Sequence, residues 1–553
     1  MVTLAENSDA RGRGMSTPMA GRRPAPALRL IPALSVLSAL AVFALIQIIA
    51  FQLAGGFDYP LDDPYIHLAI AEQIAAGGYG VNGQELSSPG SSALFPLLLV
   101  PFHGTEFHRF MPLVWNIVGL VLAAFVWGRL LAEAGWARPG WRGAGIAAAL
   151  LGPIAFMMPM VAAAGMEHVL HGATALAILL GLHRHLSPQT SGQDGVALIL
   201  VAAFLGTALR MEGAALALFA GAALMLTGKR GAGAATVVLG LLPIGLFAAY
   251  LMSLGLDPAP SSVKAKLAIS ESGDYSFLQT RMAFLALNLR APAGMLIGLL
   301  AVATLALSRL SPGIRDSRWA SFAGVVALAA FAHLIFGQIG WLNRYENYIL
   351  LATAAGFLAL IPKACAGAPD LRAIGALAVA MIGGFLAYKT PLSLENLVKG
   401  ARAIHLQQGQ MARFAKDYLG TDVAVNDLGW VAFQNPNYVL DLWGLASSEA
   451  RIRRLETPSP GWTGELTDAK DVPVAMIYDH WFDAGQIGTD WVRLGSLEVI
   501  VGGGFLGGDS VAFYATHPET APMLEDAIAA WEPTLLPGSQ FVWDGDYRRE
   551  GSQ

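Results

Sequence analysis

The sequence predicts a polytopic α-helical membrane protein with a mixed α/β domain at its C-terminal end. Three observations lead there. Only 14% of the 553 residues are charged, against about 25% in soluble domains. The apolar residues fall in long blocks such as Leu30–Ala54 and Gly143–Ala164, and roughly 20 such residues cross a bilayer as a helix. No block shows the period-two alternation of a membrane barrel. By contrast, residues 390–553 contain no run of membrane length.

Residues 1–28 hold Arg11, Arg13, Arg22 and Arg23 among Pro, Gly and Ser and read as a disordered cytoplasmic tail. The block that follows is too long for the apolar core of a cleaved signal peptide, so it reads as an uncleaved first span. Spans are predicted near 30–54, 110–131, 143–164, 167–184, 196–209, 213–228, 232–255, 291–308, 319–338, 346–362 and 371–388. The pair flanking Arg210 is short and suits a tight hairpin or a partly re-entrant element. These about 11 spans make residues 29–389 a transmembrane domain whose first outer loop is 55–109.

Short-loop Lys and Arg residues collect on the cytoplasmic side. With the basic tail inside, that side receives Arg129, Arg138, Arg142, Arg184, Lys229, Arg230, Arg309, Arg315, Arg318, Lys363 and Arg372. The opposite side receives Arg109, Arg210, Lys264, Lys266, Arg281, Arg290 and Arg344. An odd number of spans then puts residues 390–553 outside an inner or plasma membrane. In that domain a helix is expected over 401–418. Strands are expected at Val423–Asn426, Tyr438–Leu442, Val472–Ile477, Leu494–Val501 and Val511–Tyr514, separated by turn signals such as Asn435-Pro436.

The net charge of −5, with no long block of like charge, gives no sign of nucleic-acid binding. A single cysteine, Cys365, excludes an intramolecular disulfide and a Cys-based metal cluster.

Charged motifs gather on the outer side. In Asp62-Asp63-Pro64-Tyr65-Ile66-His67, Pro64 suits the first helical position and Asp63 the N-cap. Apolar residues at 66, 69, 70 and 74 suggest a helix lying on the membrane surface, ended by Gly77-Gly78. Asp62 has no such structural duty and is well placed as a general base or cation holder. Each further motif also has a plain structural reading. Glu167 could oppose a helix dipole, Arg210 and Glu212 could form an ion pair, and Arg344 could anchor the interface. Glu167, His168 and His171 have helical spacing, but His168 faces away from the other two, so no metal site is assigned. Lys264 and Lys266 alternate and cannot both face one site from an extended segment.

Residues 62–99 resemble the first outer loop of GT-C superfamily glycosyltransferases. The likeness is to the bacterial branch of arabinofuranosyl- and mannosyltransferase-like proteins that use polyprenyl-phosphate sugars. It rests on Asp62-Asp63-Pro64-Tyr65-Ile66, Gly78-Tyr79-Gly80, Gln84-Glu85 and Ser87-Ser88-Pro89 in order, with Pro64 and Gln84 departing from the branch's usual Ala and Gly. Gly165-Met166-Glu167, Arg210-Met211-Glu212-Gly213, Pro260-Ser261-Ser262-Val263-Lys264-Ala265-Lys266 and Arg344-Tyr345 resemble later motifs. Val423–Gly429 and Val439–Leu445 are similar to the branch's tail.

The resemblance implies an inverting transfer of sugar from a polyprenyl-phosphate donor to a cell-envelope glycan or glycolipid acceptor. It implies catalysis by Asp62, with Asp63 positioning, and donor phosphate held by Lys266, Arg344 and Arg210. Glu167, Glu212, Tyr65 and Glu346 would bind acceptor or sugar or support the site. No cofactor is assigned; some members use a divalent cation, and the sequence does not decide for one. The rival readings are a transporter or flippase of lipid-linked saccharides, which would usually show repeated halves, and a non-catalytic assembly subunit. Because an ionisable group inside a span costs roughly 2.5–3.5 kcal/mol by insertion scales, Asp62, Glu167, Arg210, Lys266 and Arg344 are expected around one wet cavity. Reporter fusions after Lys363 and after Thr390 should report opposite sides of the membrane; two cytoplasmic signals would overturn the orientation.

Overall fold

The computed structural model describes residues 26–83, 85–187, 192–265, 276–315, 317–367, 372–483, 485–500, 504–545 and 547. The first half of the bundle comprises α1 (Pro26–Ala54), α2 (Asp63–Ala75), α3 (Phe95–Leu99), α4 (Met111–Leu131), α5 (Arg142–Ala155), α6 (Met158–Ala163) and α7 (His168–Leu186). Then come α8 (Gly192–Leu209), α9 (Gly213–Leu226), α10 (Arg230–Ser253), α11 (Phe277–Arg290), α12 (Pro292–Leu310), α13 (Trp319–Phe336), α14 (Asn347–Gly367) and α15 (Arg372–Leu406).

Each of the eleven apolar segments is helical. Among the described residues, seven helices are long and apolar enough to cross a membrane, while Gly195–Leu209 and Gly213–Leu226 are shorter apolar helices. The chain is an integral membrane protein. Helix α7 lies at the centre, packed against α4, α8 and α14 and buried along nearly its whole length. Lipid offers helices no hydrophobic reason to associate, so close backbone approach through small residues takes its place. A Cβ on Gly128 would stand 2.6 Å from Pro32 of α1, and one on Gly181 would stand 2.7 Å from the Gly195 carbonyl oxygen.

The 35-residue α15 runs out of the bundle and leads into the C-terminal domain. There α16 (Gln408–Arg413), α17 (Gly429–Ala432), α18 (Ser448–Leu455), α19 (Trp462–Ala469) and α20 (Ala521–Trp531) surround one six-stranded sheet. Its strands are β1 (Val423–Val425), β2 (Val439–Asp441), β3 (Val474–Ile477), β4 (Val492–Val499), β5 (Ser510–Ala515) and β6 (Ser539–Trp543). The order is β2-β1-β3-β5-β4-β6, with β2, β1 and β3 mutually parallel and the other pairings antiparallel. Side chains alternate across a strand. Val423 and Val425 therefore join a core with Phe414, Phe513 and Trp531, while Ala424 joins Leu440, Trp462 and Leu466 on the other face. Burial on both faces explains why these strands read as continuous apolar runs. The five expected strands are present. The sixth, β6, was not foreseen, although Phe541-Val542-Trp543 carries strand-forming residues.

One expectation fails. Helix α2 does not lie on a membrane surface. Residues Pro64 to Ala71 are all buried. Ile66, Ala69 and Ile70 pack into the C-terminal domain's core beside Phe414 and Val431, and Tyr65 and Leu68 pack with Phe95 and Phe433. The apolar stripe thus faces protein, a partner that periodicity alone cannot distinguish from lipid. The Gly77 ending holds: its φ is +86° and its N–H closes on the Ile74 carbonyl at 3.1 Å.

The 55–109 segment is stitched to the domain along its length. Asn82 donates to the Val439 carbonyl at 2.9 Å and accepts from the Val439 N–H at 3.0 Å, behaving as an extra strand edge for β2. Tyr438 bonds to Glu85. Asn82→Ala should therefore lower stability by about 1–3 kcal/mol, the effect of leaving buried amide partners unmade, and raise hydrogen exchange in β2; unchanged exchange would mean that this seam carries no load.

Candidate active site

The acidic pair at the start of α2 points in two directions. Asp62 is 6% exposed. Its carboxylate accepts the main-chain N–H groups of Gly429 at 2.5 Å and Trp430 at 2.8 Å. Gly429 is required there, because a Cβ would stand 2.3 Å from the Asp62 carbonyl oxygen. The Asp427 carboxyl is in hydrogen-bonding contact with that of Asp62. Behind it Gln408 donates to Asp427 at 2.7 Å and to the Tyr478 hydroxyl at 2.9 Å. Burial first, then mutual repulsion, raises Asp62 well above the usual carboxyl range. Burial chiefly raises Asp427, to about 6. Two carboxyls in this position share a proton, and the pair titrates as a unit.

Asp63 forms an ion pair with Arg344, at 3.0 Å. Helix α2 begins at Asp63, so Asp62 holds the N-cap position, and it makes no side-chain cap bond. The expectation that Asp62 is uncommitted therefore fails: its carboxyl is taken up by the Gly429 and Trp430 N–H groups, while Asp63 is paired with Arg344. The deciding partner is a main-chain turn hundreds of residues away, which no local rule could reveal.

Arg344 is 3% exposed. It follows Trp341, Leu342 and Asn343, all in the left-handed region with φ of 50°, 64° and 55°. Such residues cost about 1–2 kcal/mol each, and strain of this kind persists where surroundings over-determine a functional position. Here Asn343 is tied to Ser393 at 2.8 Å and Leu342 is buried. Nε and Nη1 of Arg344 are buried and have no hydrogen-bond partner among the described residues.

Tyr345 lies between two guanidinium groups, with Arg344 5.1 Å and Arg210 5.7 Å from its ring centre. Arg210 is bound on both sides, by Glu167 at 2.8 Å and by Glu212 at 2.7 Å. Burial alone would raise Glu212; the Arg210 charge and hydrogen bond outweigh it and hold the carboxyl at about 2. Buried His67 lies within electrostatic reach of Asp63, Glu167, Arg210 and Arg344. Burial lowers its pKa, with the two acids opposing and the two arginines adding.

A cavity of about 230 Å³ opens beside this group, lined by Ser91, Arg210, Glu212, Val263, Arg281 and Tyr345 among others. A separate apolar groove of about 380 Å³ is lined by Ala93, Leu94, Leu97, Ala208, Leu246 and Phe247 among others, and its lining comes within two residues of the cavity's in the chain, at Ser91 and Ala93 and at Ala208 and Arg210. The Ser87-Ser88-Pro89 and Pro260-Ser261-Ser262 motifs meet, with the Ser261 N–H donating to the Ser88 carbonyl at 3.0 Å and the two hydroxyls 3.2 Å apart. Val263 of the second motif reaches the cavity; Lys266 lies outside the described residues.

The expected convergence is therefore split. Arg210, Glu167 and Glu212 form one group and Arg344 and Asp63 another, joined through Tyr345 and His67. Asp62 turns to the C-terminal domain and does not line the cavity. Tyr65 supports the seam: its ring stacks on Trp430 at 4.4 Å and its hydroxyl reaches Asp58 at 3.2 Å. Glu346 is buried and accepts the Gly340 N–H at 2.9 Å, bracing the turn before Arg344. The acids of the first segment do not suit a cation, since Asp62 is occupied by N–H donors and Asp63 by a guanidinium. Among the described residues no group of three His, Cys, Asp or Glu side chains is placed to hold a metal.

Sequence reasoning missed Asp427, Tyr345 and Arg281. Asp427 and Tyr345 lay inside motifs quoted for the resemblance but had no assigned role. Arg281 had been used only to set orientation.

Residues 400–514 match a family described as a domain of unknown function (DUF8728). A comparison with curated proteins finds no match. Among solved structures, the chain is similar to ArnT from Cupriavidus metallidurans bound to undecaprenyl phosphate. That likeness has 14% identity and a TM-score of 0.47, covering 88% of this chain and 98% of that one. It is also similar to the Archaeoglobus fulgidus oligosaccharyltransferase in complex with Zn and sulfate, at 14% identity and TM-score 0.47, over 91% and 75% of the two chains. Arabinofuranosyltransferase AftD from Mycobacteria shares 16% identity at TM-score 0.39, over 89% of this chain and 41% of that one.

The raised carboxyls have a consequence for pH. A carboxyl whose folded pKa exceeds its unfolded value favours folding while protonated, and that contribution fades as pH rises through the folded pKa. The seam between α2 and the domain should be strongest in acid and weaken through about pH 6, following Asp427. Thermal unfolding in detergent should show this decline, and Asp427→Asn should flatten it; an equally steep decline in the variant would place its origin elsewhere.

Proposed function

We propose that this protein is a membrane glycosyltransferase that moves a sugar from a polyprenyl-phosphate donor to a hydroxyl of a cell-envelope glycan or glycolipid, on the extracytoplasmic face. The ordered motif resemblance supports the reaction class. The observation that carries the reading is Arg344. A buried guanidinium with two nitrogens that have no partner among the described residues, beside a carboxylate and against Tyr345, which lines the cavity, suits an incoming phosphate. The apolar groove suits a prenyl chain entering from the bilayer.

Arg210 is less suited to that task than the resemblance implies. Its charge is already met by Glu167 and Glu212, and breaking such a buried arrangement typically costs 3–5 kcal/mol. Its place is to shape the cavity wall. Arg344, with Lys266 of the Pro260–Lys266 motif, takes the phosphate.

The base in this reading is Asp63. In the empty site it is paired with Arg344. Donor phosphate competes for that guanidinium, and as Arg344 turns to it the Asp63 carboxylate becomes available to the acceptor hydroxyl. The acceptor oxygen then attacks the anomeric carbon, its proton passes to Asp63, and the bond to the phosphate oxygen breaks. Lipid phosphate leaves bearing the charge that Arg344 and Lys266 stabilise, and attack from the face opposite the phosphate inverts the anomeric centre. Asp62 acts at one remove, holding the loop through Gly429 and Trp430.

Asp63→Asn should lower turnover by about 10²–10⁴-fold, the usual contribution of a general base; it also leaves buried Arg344 without its acid, so turnover is compared at a temperature at which thermal unfolding shows the variant folded. Asp62→Asn should lower stability, because an amide cannot accept N–H groups at both of its terminal atoms. A panel of radiolabelled polyprenyl-phosphate sugars offered to membranes supplies the assay. Activity lost in Asp62→Asn at unchanged stability, with Asp63→Asn active, would transfer the base to Asp62. If no labelled donor is consumed, the transferase reading fails.

A further inference from the structure

A second cavity, of about 600 Å³, lies on the C-terminal domain side of the seam. It is lined by His405, Gln410, Lys416, Asp417, Trp430 and Gln434 among others, from α15, α16, the turn that continues α16, and the segment after α17. Gln410 is only 3% exposed, yet its side-chain oxygen has no hydrogen-bond partner. An acceptor held out of water without a partner is a deficit that a bound donor would repair. Gly409 keeps the wall low at this point, for a Cβ there would stand 3.0 Å from the Trp430 ring.

The chemistry of the lining narrows the ligand. Two amides, a carboxylate, an amine, a guanidinium and an imidazole offer donors and acceptors in mixed array. A phosphate or uronate would ask for cations alone; here Asp417 shares the wall with Lys416 and Arg413, Arg413 already donates to Thr534 at 2.7 and 2.9 Å, and Glu72 and Glu106 lie within electrostatic reach of Lys416, with Arg109 opposing them. Sugar hydroxyls donate and accept at once and match such an array. The volume falls in the usual range for ligand sites, about 300–1,000 Å³. An apolar ligand would leave the same groups unpaired.

We infer that this cavity is a binding site for a neutral oligosaccharide, seated against Gln410, Lys416 and Trp430. Its assignment as the docking point for the acceptor glycan rests on the transferase reading, whereas the binding itself does not. Trp430 makes the link between the two places. Its side chain lines the cavity while its main-chain N–H holds Asp62, one residue before the proposed base. An oligosaccharide in the cavity therefore bears on the segment that carries Asp63.

The test is equilibrium binding to the detergent-purified full chain, using neutral mannose, arabinose and glucose tetrasaccharides with a tetragalacturonate as the charged control. Neutral tetrasaccharide should bind in the millimolar range or tighter. Gln410→Leu and Lys416→Met should each weaken it by roughly tenfold, as removal of a hydrogen-bond partner does, with thermal stability confirming that both fold. Asp63→Asn should bind normally, so that loss of turnover and loss of binding are read separately. Failure of every neutral tetrasaccharide, preference for the uronate, or undiminished binding in both cavity variants would each overturn the inference. Binding retained in a protein that consumes no donor would keep the site and remove only its role as acceptor dock.

Discussion

Everything at this end of the molecule hangs on one carboxylate bound to two main-chain N–H groups. Asp62 belongs to the loop after the first span, and Gly429 and Trp430 belong to a turn of the distal domain. Two main-chain N–H groups on the two oxygens of one buried carboxyl leave that side chain a single orientation and would each be left unpaired without it. In this case they fix where α2 lies, and α2 in turn fixes Asp63, Tyr65 and His67. The Tyr65–Trp430 stack and the Asn82–Val439 pair extend the same seam. The cost is an electrostatic one: Asp427 sits against a second buried acid, and the two must share a proton to coexist.

The arginines show how burial sorts residues that look alike in sequence. Arg210 and Arg344 both occupy motifs at the ends of apolar segments, and both are nearly inaccessible. Arg210 has two acids of its own and is electrically closed. Arg344 is paired with Asp63 and keeps two donors that meet no partner among the described residues. A buried charge that is fully matched is structure. A buried charge with donors to spare can still take an anion, and the left-handed run before Arg344 shows the chain accepting strain at that position.

Much of this was legible before any coordinates. Length and composition identify the helical bundle, because a bilayer leaves few alternatives. Five of six strands were legible because both sheet faces are buried and their apolar runs are continuous. The ordered motifs identified most of the charged residues that matter. What was not legible was pairing over long distances. Nothing near Asp62 in the chain announces Gly429, and the apolar stripe of Ile66, Ala69 and Ile70 reads the same whether it meets lipid or Phe414. Asp427 and Tyr345 stayed without roles because their partners come from other elements.

The 35-residue α15 adds a geometrical consequence. At 1.5 Å per residue it is roughly 50 Å long, against about 30 Å of hydrocarbon. The surplus carries the chain from the bundle to the sheet domain and sets how far apart the two stand along that helix. A helix of this kind is also a screw: each added residue would lift the domain by 1.5 Å and swing it by about 100°. Asp62 and the Gly429 turn can meet only at one setting of that screw. The reach from the bundle to the turn that meets Asp62 is thus written into the residue count of a single helix.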